Sequence, residues 1–254
     1  MQRTVLITLI ICMLVSHSSA QNTGQSDLSK QASKQASKQD AAVGDEAKDA
    51  GDAEGDQKPS APVAIAMKGS PAIDGKVDEV WEKADSVSVH RPVEDLTTLS
   101  KDQMATAQVK FLWDKQHLYA LWVVKDSHLS VDHNDDWEQD SVELFLDRNL
   151  KRTVFYQYDD AQYRMNYEGQ ASGQGEGFVW DDLQGASAKT STGYVVEMSI
   201  LIPGGVLESG LQMGIEMQVN DNRGGQGRES VTKWNHTEDD SWEDTSNFGT
   251  LRLK

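Results

Sequence analysis

Residues 134–147 read Asn-Asp-Asp-Trp-Glu-Gln-Asp-Ser-Val-Glu-Leu-Phe-Leu-Asp. From Asp140 onward Val142, Leu144 and Leu146 alternate with Ser141, Glu143, Phe145 and Asp147. That is the period of a strand with one buried face, so Glu143 falls on the outer side. Just upstream, Trp137 stands in a run of acids, where no apolar neighbour in sequence explains it as core. A flat ring beside strand-borne polar groups suits a sugar, whose C–H faces stack on aromatics and whose hydroxyls take bidentate hydrogen bonds.

Strand-sized apolar runs separated by turn residues fill the chain from Ala61 to its end. The expected segments are 63–67, 107–113, 118–124, 141–147, 153–158, 163–167, 189–190, 194–200, 213–220 and 231–234, with a short helix or turn at 77–83. Strands at this spacing, with few helical periods between them, predict an all-β fold, an antiparallel sandwich or barrel. Alternation then assigns faces. Ala107, Val109, Phe111 and Trp113 share one side, and Trp122 joins Leu118, Ala120 and Val124, so both tryptophans are expected in the core. The aromatic and methionine side of 163–167 is expected inside, turning Gln162, Arg164 and Asn166 outward. Met213, Ile215, Met217 and Val219 likewise leave Glu216, Gln218 and Asn220 on the other face.

The strands carrying Glu143 and Arg164 are close in sequence, so they can lie in one sheet with their polar faces together. A carboxylate and a guanidinium placed so could share a ligand's hydroxyls, or they could form a purely structural ion pair. Among the remaining tryptophans, Trp81 is expected to anchor the N-terminal turn in the core and Trp234 to pack. Trp180, in the glycine-rich stretch 173–182, has no assignment.

The N-terminal part has a different character. Residues 1–20 carry Arg3, an apolar run from Val5 to Val15, and then Ser18, Ser19 and Ala20, the pattern of a cleaved export signal. The mature chain is therefore expected to start near Gln21 and to be secreted or periplasmic. The apolar run is too short for a spanning helix of ~20 residues, and no membrane insertion is expected. Residues 21–60 lack aromatics and include KQASKQASKQD (30–40); such a stretch cannot bury enough apolar surface to offset its chain entropy and reads as a disordered linker. The single cysteine, Cys12, lies in the leader, so the mature chain has no disulfide, thiolate metal site or cysteine nucleophile. A formal net charge of -17 argues against nucleic acid, which needs clustered Lys and Arg, and against anionic membranes.

Seven phrases, in order, resemble carbohydrate-binding module family 9, modules appended to xylanases and other plant-wall enzymes. They are IDGKVDEVW (73–81), ATAQVKFLWDKQHLYAL (105–121), DWEQDSVELFLD (136–147), YDDAQYRMNYEG (158–169), GYVVEMSI (193–200), MGIEMQVND (213–221) and DDSWEDTSNFGTLRL (239–253). The resemblance covers most of 61–254 and implies a jelly-roll β-sandwich, a sugar held between two tryptophans, and structural calcium elsewhere. By position, the stacking rings correspond to Trp137 and Trp242 and the hydrogen-bonding groups to Glu143, Arg164 and Asp239, with Asp160 and Gln162 as lesser candidates. Asp239 is a departure from one member of the family, in which an amide stands there, and a carboxylate can only accept. The implied ligand is a plant-type polysaccharide or oligosaccharide of xylan or cellulose type, with glycoside hydrolases as possible partners.

The loop from Asp126 to Asp140, with Asp132, Asp135 and Asp136, is oxygen-rich enough for calcium, which takes six to eight oxygen ligands; Asp126 and Asp140 are the candidate ligands. His128 and His133 in this loop have no second motif and read as surface residues. Asn235, His236 and Thr237 form a glycosylation sequon beside Trp242. Three rival readings remain open. A glycosidase would use Glu143 with Asp159 or Asp160, a haem sandwich would use Met213 or Met217, and a surface scaffold would use the linker for reach.

Overall fold

The computed structural model of the protein describes residues 60–254. The expected leader, 1–20, and the expected linker, apart from Ser60, lie outside the described residues. Thirteen strands follow in chain order: β1 (Val63–Lys68), β2 (Val87–Val89), β3 (Arg91–Pro92), β4 (Thr106–Trp113), β5 (His117–Lys125), β6 (Ser141–Asp147), β7 (Asp160–Asn166), β8 (Ala171–Gln174), β9 (Leu183–Thr190), β10 (Gly193–Leu201), β11 (Gln212–Asp221), β12 (Ser230–Lys233) and β13 (Gly249–Leu253). No α-helix occurs among the described residues, only short 3-10 turns such as Glu79–Lys83 and Asp136–Glu138.

Hydrogen bonding runs β8-β7-β6-β11-β13-β1-β4-β5-β10-β9, with β12 also beside β11 and β3, and β2 beside β4. The ribbon folds over on itself, so that β6, β7 and β11 face β4, β5 and β10 across one apolar interior, an all-β sandwich of jelly-roll type. The expected antiparallel pairing holds everywhere except at β1, which runs parallel to both β13 and β4. The interior collects the alternating sets that the periodicity predicts: Val142, Leu144 and Leu146 from β6, Val109 and Phe111 from β4, Trp122 from β5, and Met213, Ile215, Met217 and Val219 from β11. Each strand hands every second side chain to this space, which is why a period of two identifies it.

A smaller second core lies on the outer face of β4 and β5. Trp81 packs there with Leu112, Tyr119 and Leu121, and its indole N–H donates to Glu197 Oε1 at 3.0 Å. Glu197 Oε2 also accepts the Gly75 backbone N–H at 2.9 Å, so a buried carboxylate ties the N-terminal turn down. Gly75 has a φ of 80°, a left-handed conformation that a side chain would strain.

Residues 153–158 form no strand. Leu150 and Arg152 have φ of 57° and 52°, which turns the chain out of the ladder. Thr153 then bonds the 245 region instead, its N–H donating to Thr245 Oγ1 at 2.9 Å. As a result β6 and β7 pair directly, with Glu143 opposite Arg164.

Candidate functional site

The non-core face of β6, β7 and β11 is polar, and the strand pairing alone brings its residues together. Opposite Glu143 stand Arg164 on β7 and Gln218 on β11. Glu143 Oε1 accepts from Arg164 Nε at 2.6 Å and from Asn220 Nδ2 at 2.8 Å, and Oε2 accepts from Gln162 Nε2 at 2.7 Å. Arg164 also donates to Ser172 Oγ on β8 at 3.1 Å. Burial pushes the Glu143 carboxyl upward, but the Arg164 guanidinium beside it, with help from Arg228 and Asn220, holds it below the ordinary glutamate value. The result is an ionised carboxylate oriented before any ligand arrives, with Oε1 taking two bonds and Oε2 one, which leaves Oε2 able to accept another.

The expectation that the outer side of β6 is open to water needs correction. Every residue of β6 is buried, because segment 235–248 folds over this face. Phe248 packs on Phe145 with ring centroids 6.3 Å apart, and the buried Lys233 ammonium donates to the Glu238 carbonyl at 2.7 Å and to Ser241 Oγ.

Arg228 joins the two tryptophan-bearing loops. Its Nε lies 3.8 Å from Glu138, the neighbour of Trp137, and its Nη2 lies 3.8 Å from Asp239, three residues before Trp242. Its backbone N–H donates to Glu138 Oε2 at 2.7 Å and its Nη1 to Asn220 Oδ1 at 3.3 Å. The Trp242 indole N–H donates to the Asp239 carbonyl at 3.1 Å, and the Trp242 carbonyl accepts from Gln174 at 3.1 Å. Trp137 and Trp242 are each half-buried, unlike Trp81, Trp113 and Trp122, which are core. Trp234 packs against the core, as expected.

Thus Glu143, Arg164 and Gln162 are brought into one array, and Asp239 reaches it through Arg228. Asp160 is not brought to Glu143. Although it shares a face of β7 with Gln162 and Arg164, it gathers with Asp147 and Asp159, their carboxylate oxygens lying within 4.8 Å of one another. Asp126 and Asp140 do come together, and Asp221 joins them within the same distance. Sequence reasoning missed Asn220 and Asp221 as site residues, although the phrase 213–221 and its alternation were visible. Arg228 sits in a loop with no period and gave no signal.

Both acidic clusters have an oxygen donor set, so their fit to a cation can be tested. Asp126 Oδ2, Asp221 Oδ1 and Asp160 Oδ1 are buried without a hydrogen-bond partner. Burial, and then the charge of its neighbours, pushes Asp140 up to about 9, Asp126 to about 6 and Asp160 to about 7. Buried carboxylates this close are costly without a compensating positive charge. The residues fit a hard cation that prefers oxygen ligands. His128 is exposed and His133 half-buried, and neither belongs to these clusters.

A family model described as carbohydrate family 9 binding domain-like matches residues 73–254. The chain belongs to this family. The family 9 module is 38% identical over 193 residues to an exoglucanase XynX of Acetivibrio thermocellus, covering 76% of this chain and 17% of that protein. It is 37% identical over 194 residues to an endo-1,4-beta-xylanase A of Thermoanaerobacterium saccharolyticum, covering 76% of this chain and 16% of that protein. The module thus spans about a sixth of the length of these relatives. Among solved structures, it resembles a carbohydrate-binding module family 9 from Caldicellulosiruptor kristjanssonii in complex with cellotriose. That likeness has a TM-score of 0.69 and 29% identity, over 76% of this chain and 94% of that one. The same module in complex with glucose gives a TM-score of 0.69 and 30% identity, over 76% and 96%.

Proposed function

We propose that this family 9 module is an exported, non-catalytic carbohydrate-binding protein whose site is the polar face of β6, β7 and β11. In this reading Trp137 and Trp242 stack on a pyranose. Glu143, Arg164, Gln162 and Asp239 hydrogen-bond its hydroxyls, and Asn220 and Arg228 hold them in place. The observation that carries it is the Glu143 array: a buried carboxylate takes bonds from Arg164, Gln162 and Asn220 between two loops that each present a half-buried indole. Groups fixed in advance lose little freedom on binding, which suits recognition. Glycoside hydrolysis needs a second carboxyl placed across the scissile bond from Glu143, whereas Asp159 and Asp160 are gathered with Asp147. Met213 and Met217, considered as haem ligands, lie inside the core.

The ligand class follows from the relatives. Solved family 9 modules hold cellotriose and glucose, and similar sequences sit in xylanases and an exoglucanase. The proposed ligand is therefore a neutral β-linked glucan or xylan, and the proposed partners are glycoside hydrolases acting on it. Calcium is the proposed structural cation, held by Asp126, Asp140 and Asp221 and, at a second place, by Asp147, Asp159 and Asp160. It would supply charge compensation and tie loops together without touching the sugar. The leader 1–20 supports export to the periplasm or beyond, which N-terminal sequencing of the mature protein would test.

Calorimetric titration with a panel of mono- and disaccharides, with and without chelator, tests the binding reading. A saturable signal for glucose- or xylose-type sugars is expected, with none for unrelated glycans. Incubation with xylan and cello-oligosaccharides is expected to yield no new reducing ends. New ends would replace the binding reading with an enzymatic one.

A further inference from the structure

Among the described residues Trp180 is the only exposed tryptophan, at 60%. Its loop, 175–182, packs on the start of β7 and on the β6–β7 loop: Gly177 N–H donates to the Asp160 carbonyl at 3.0 Å, and Arg148 donates to the Gly177 carbonyl and to Tyr163 Oη, the latter at 2.8 Å. A row of rings carries the order of the core outward. Phe178 meets Tyr163 edge-on at 5.5 Å, and Trp180 meets Phe178 edge-on at 5.1 Å with an interplanar angle of 76°. The indole is therefore exposed and yet braced. The β6–β7 loop adds Tyr158, 69% exposed, and Val154, while the Trp180 loop adds Val179. Four of the nine exposed large hydrophobics among the described residues thus sit on these two loops, and a concentration of exposed apolar side chains marks an interaction surface.

The occupant can be argued from charge and from continuity. Glu176, Asp181 and Asp182 flank the rings, and the chain has a formal net charge of -17, which disfavours anionic membranes and nucleic acid. The same β6–β7 loop touches the Trp242 loop on its other flank, where Tyr156 Oη donates to the Ser241 carbonyl at 2.6 Å. Gln174, at the end of β8 where the Trp180 loop begins, donates to the Trp242 carbonyl. We propose that Trp180 and Tyr158 form an outlying stacking platform for further pyranose units of a long neutral glycan whose end occupies the site between Trp137 and Trp242. An uncharged ring with apolar faces is the chemistry that a braced indole among acids accepts. This proposal rests on the carbohydrate reading of the main site.

The test compares the full chain with Trp180→Ala and with the Trp180→Ala/Tyr158→Ala double variant. Both are titrated with a disaccharide, measured by depletion onto insoluble cellulose and xylan, and sized by light scattering. The disaccharide affinity is expected to stay unchanged while the polysaccharide affinity falls roughly three- to tenfold, the equivalent of one or two stacking contacts. Unchanged polysaccharide affinity overturns the platform and leaves the main site standing. Equal losses on both ligands overturn it too, as does a dimer of the parent chain that the substitution turns into a monomer, which would assign the rings to a second copy. If the parent chain binds neither disaccharide nor polysaccharide, the main site and the platform fall together.

Discussion

Arg164 Nε lies 2.6 Å from Glu143 Oε1, across the register that pairs these two residues directly on β7 and β6. The side chains are 11% and 2% exposed, so water does little to screen them. Breaking one side leaves an uncompensated buried charge. Arg164→Ala is expected to cost about 3 kcal/mol of stability and to abolish sugar binding, whereas Glu143→Gln with Arg164 intact is expected to abolish binding at a smaller stability cost. Chemical denaturation and calorimetry of the same samples separate the two effects.

The same pair sets a pH dependence. Glu143 has a folded-state value below its ordinary 4.5, because the charges and donors around it outweigh burial. A depressed carboxylate contributes stability that is present above the unfolded value and is lost as pH falls through the folded one. Sugar affinity is therefore expected to hold steady from neutral pH down through 4.5 and to drop only below it. Titrations at a series of pH values check this; a loss between pH 5 and 7 would show that Glu143 is not held ionised.

Trp137 and Trp242 are half-buried on loops rather than packed in the core. Trp137→Ala and Trp242→Ala are each expected to remove most sugar binding while leaving the thermal midpoint within a few degrees of the parent. Trp122→Ala, which empties a fully buried core position, is expected to cost about 3–5 kcal/mol. A collapse of stability in the first two variants would make them core residues and remove the stacking argument.

Asp239 faces Arg228 at 3.8 Å, and its side chain is 39% exposed. The Arg228 side chain is 12% exposed, but at this distance and with the carboxylate open to water the pair contributes about 1 kcal/mol, so Asp239→Asn is expected to stay folded. The amide can donate as well as accept, and a severalfold gain in affinity for neutral sugars is the expected result, with a weaker dependence on salt. Titrations of both proteins at low and high ionic strength read this out.

The cation reading predicts a thermal shift. Adding calcium to chelator-treated protein at pH 7 is expected to raise the midpoint by several degrees, since a ligand that binds only the folded state stabilises it by mass action. The rise is expected to shrink at pH 5, where protons compete for the same carboxylates. Asp140→Asn is expected to abolish the larger part of the effect. A flat response to calcium in differential scanning calorimetry would leave the buried acids without a partner and sink the reading.

Much of the sandwich was legible because strands bury alternate residues. The faces of β4, β5, β6, β7 and β11 follow from which positions are apolar, and with them the core places of Trp113 and Trp122. The segments that escaped were those without that period. Ala171–Gln174 is small and polar, and residues 153–158 have strand-like composition but turn away after two left-handed residues. Glu143 and Arg164 could be put on one face from alternation alone. That they are direct neighbours depends on which strands pair, a matter of loop geometry that local pattern does not encode.

By itself, then, the sequence determined an all-β chain, its family, its inward and outward positions, and the tryptophan-bearing acidic stretch at its centre, because these depend on short-range periodicity and composition. Only the tertiary structure decided that Arg228 joins the loops of Trp137 and Trp242, that Asp221 completes the pair Asp126 and Asp140, and that Asp160 belongs to a second acidic cluster. Those relationships link residues far apart in the chain, and they arise from strand register and loop packing, which bring together groups that no window of neighbouring residues contains.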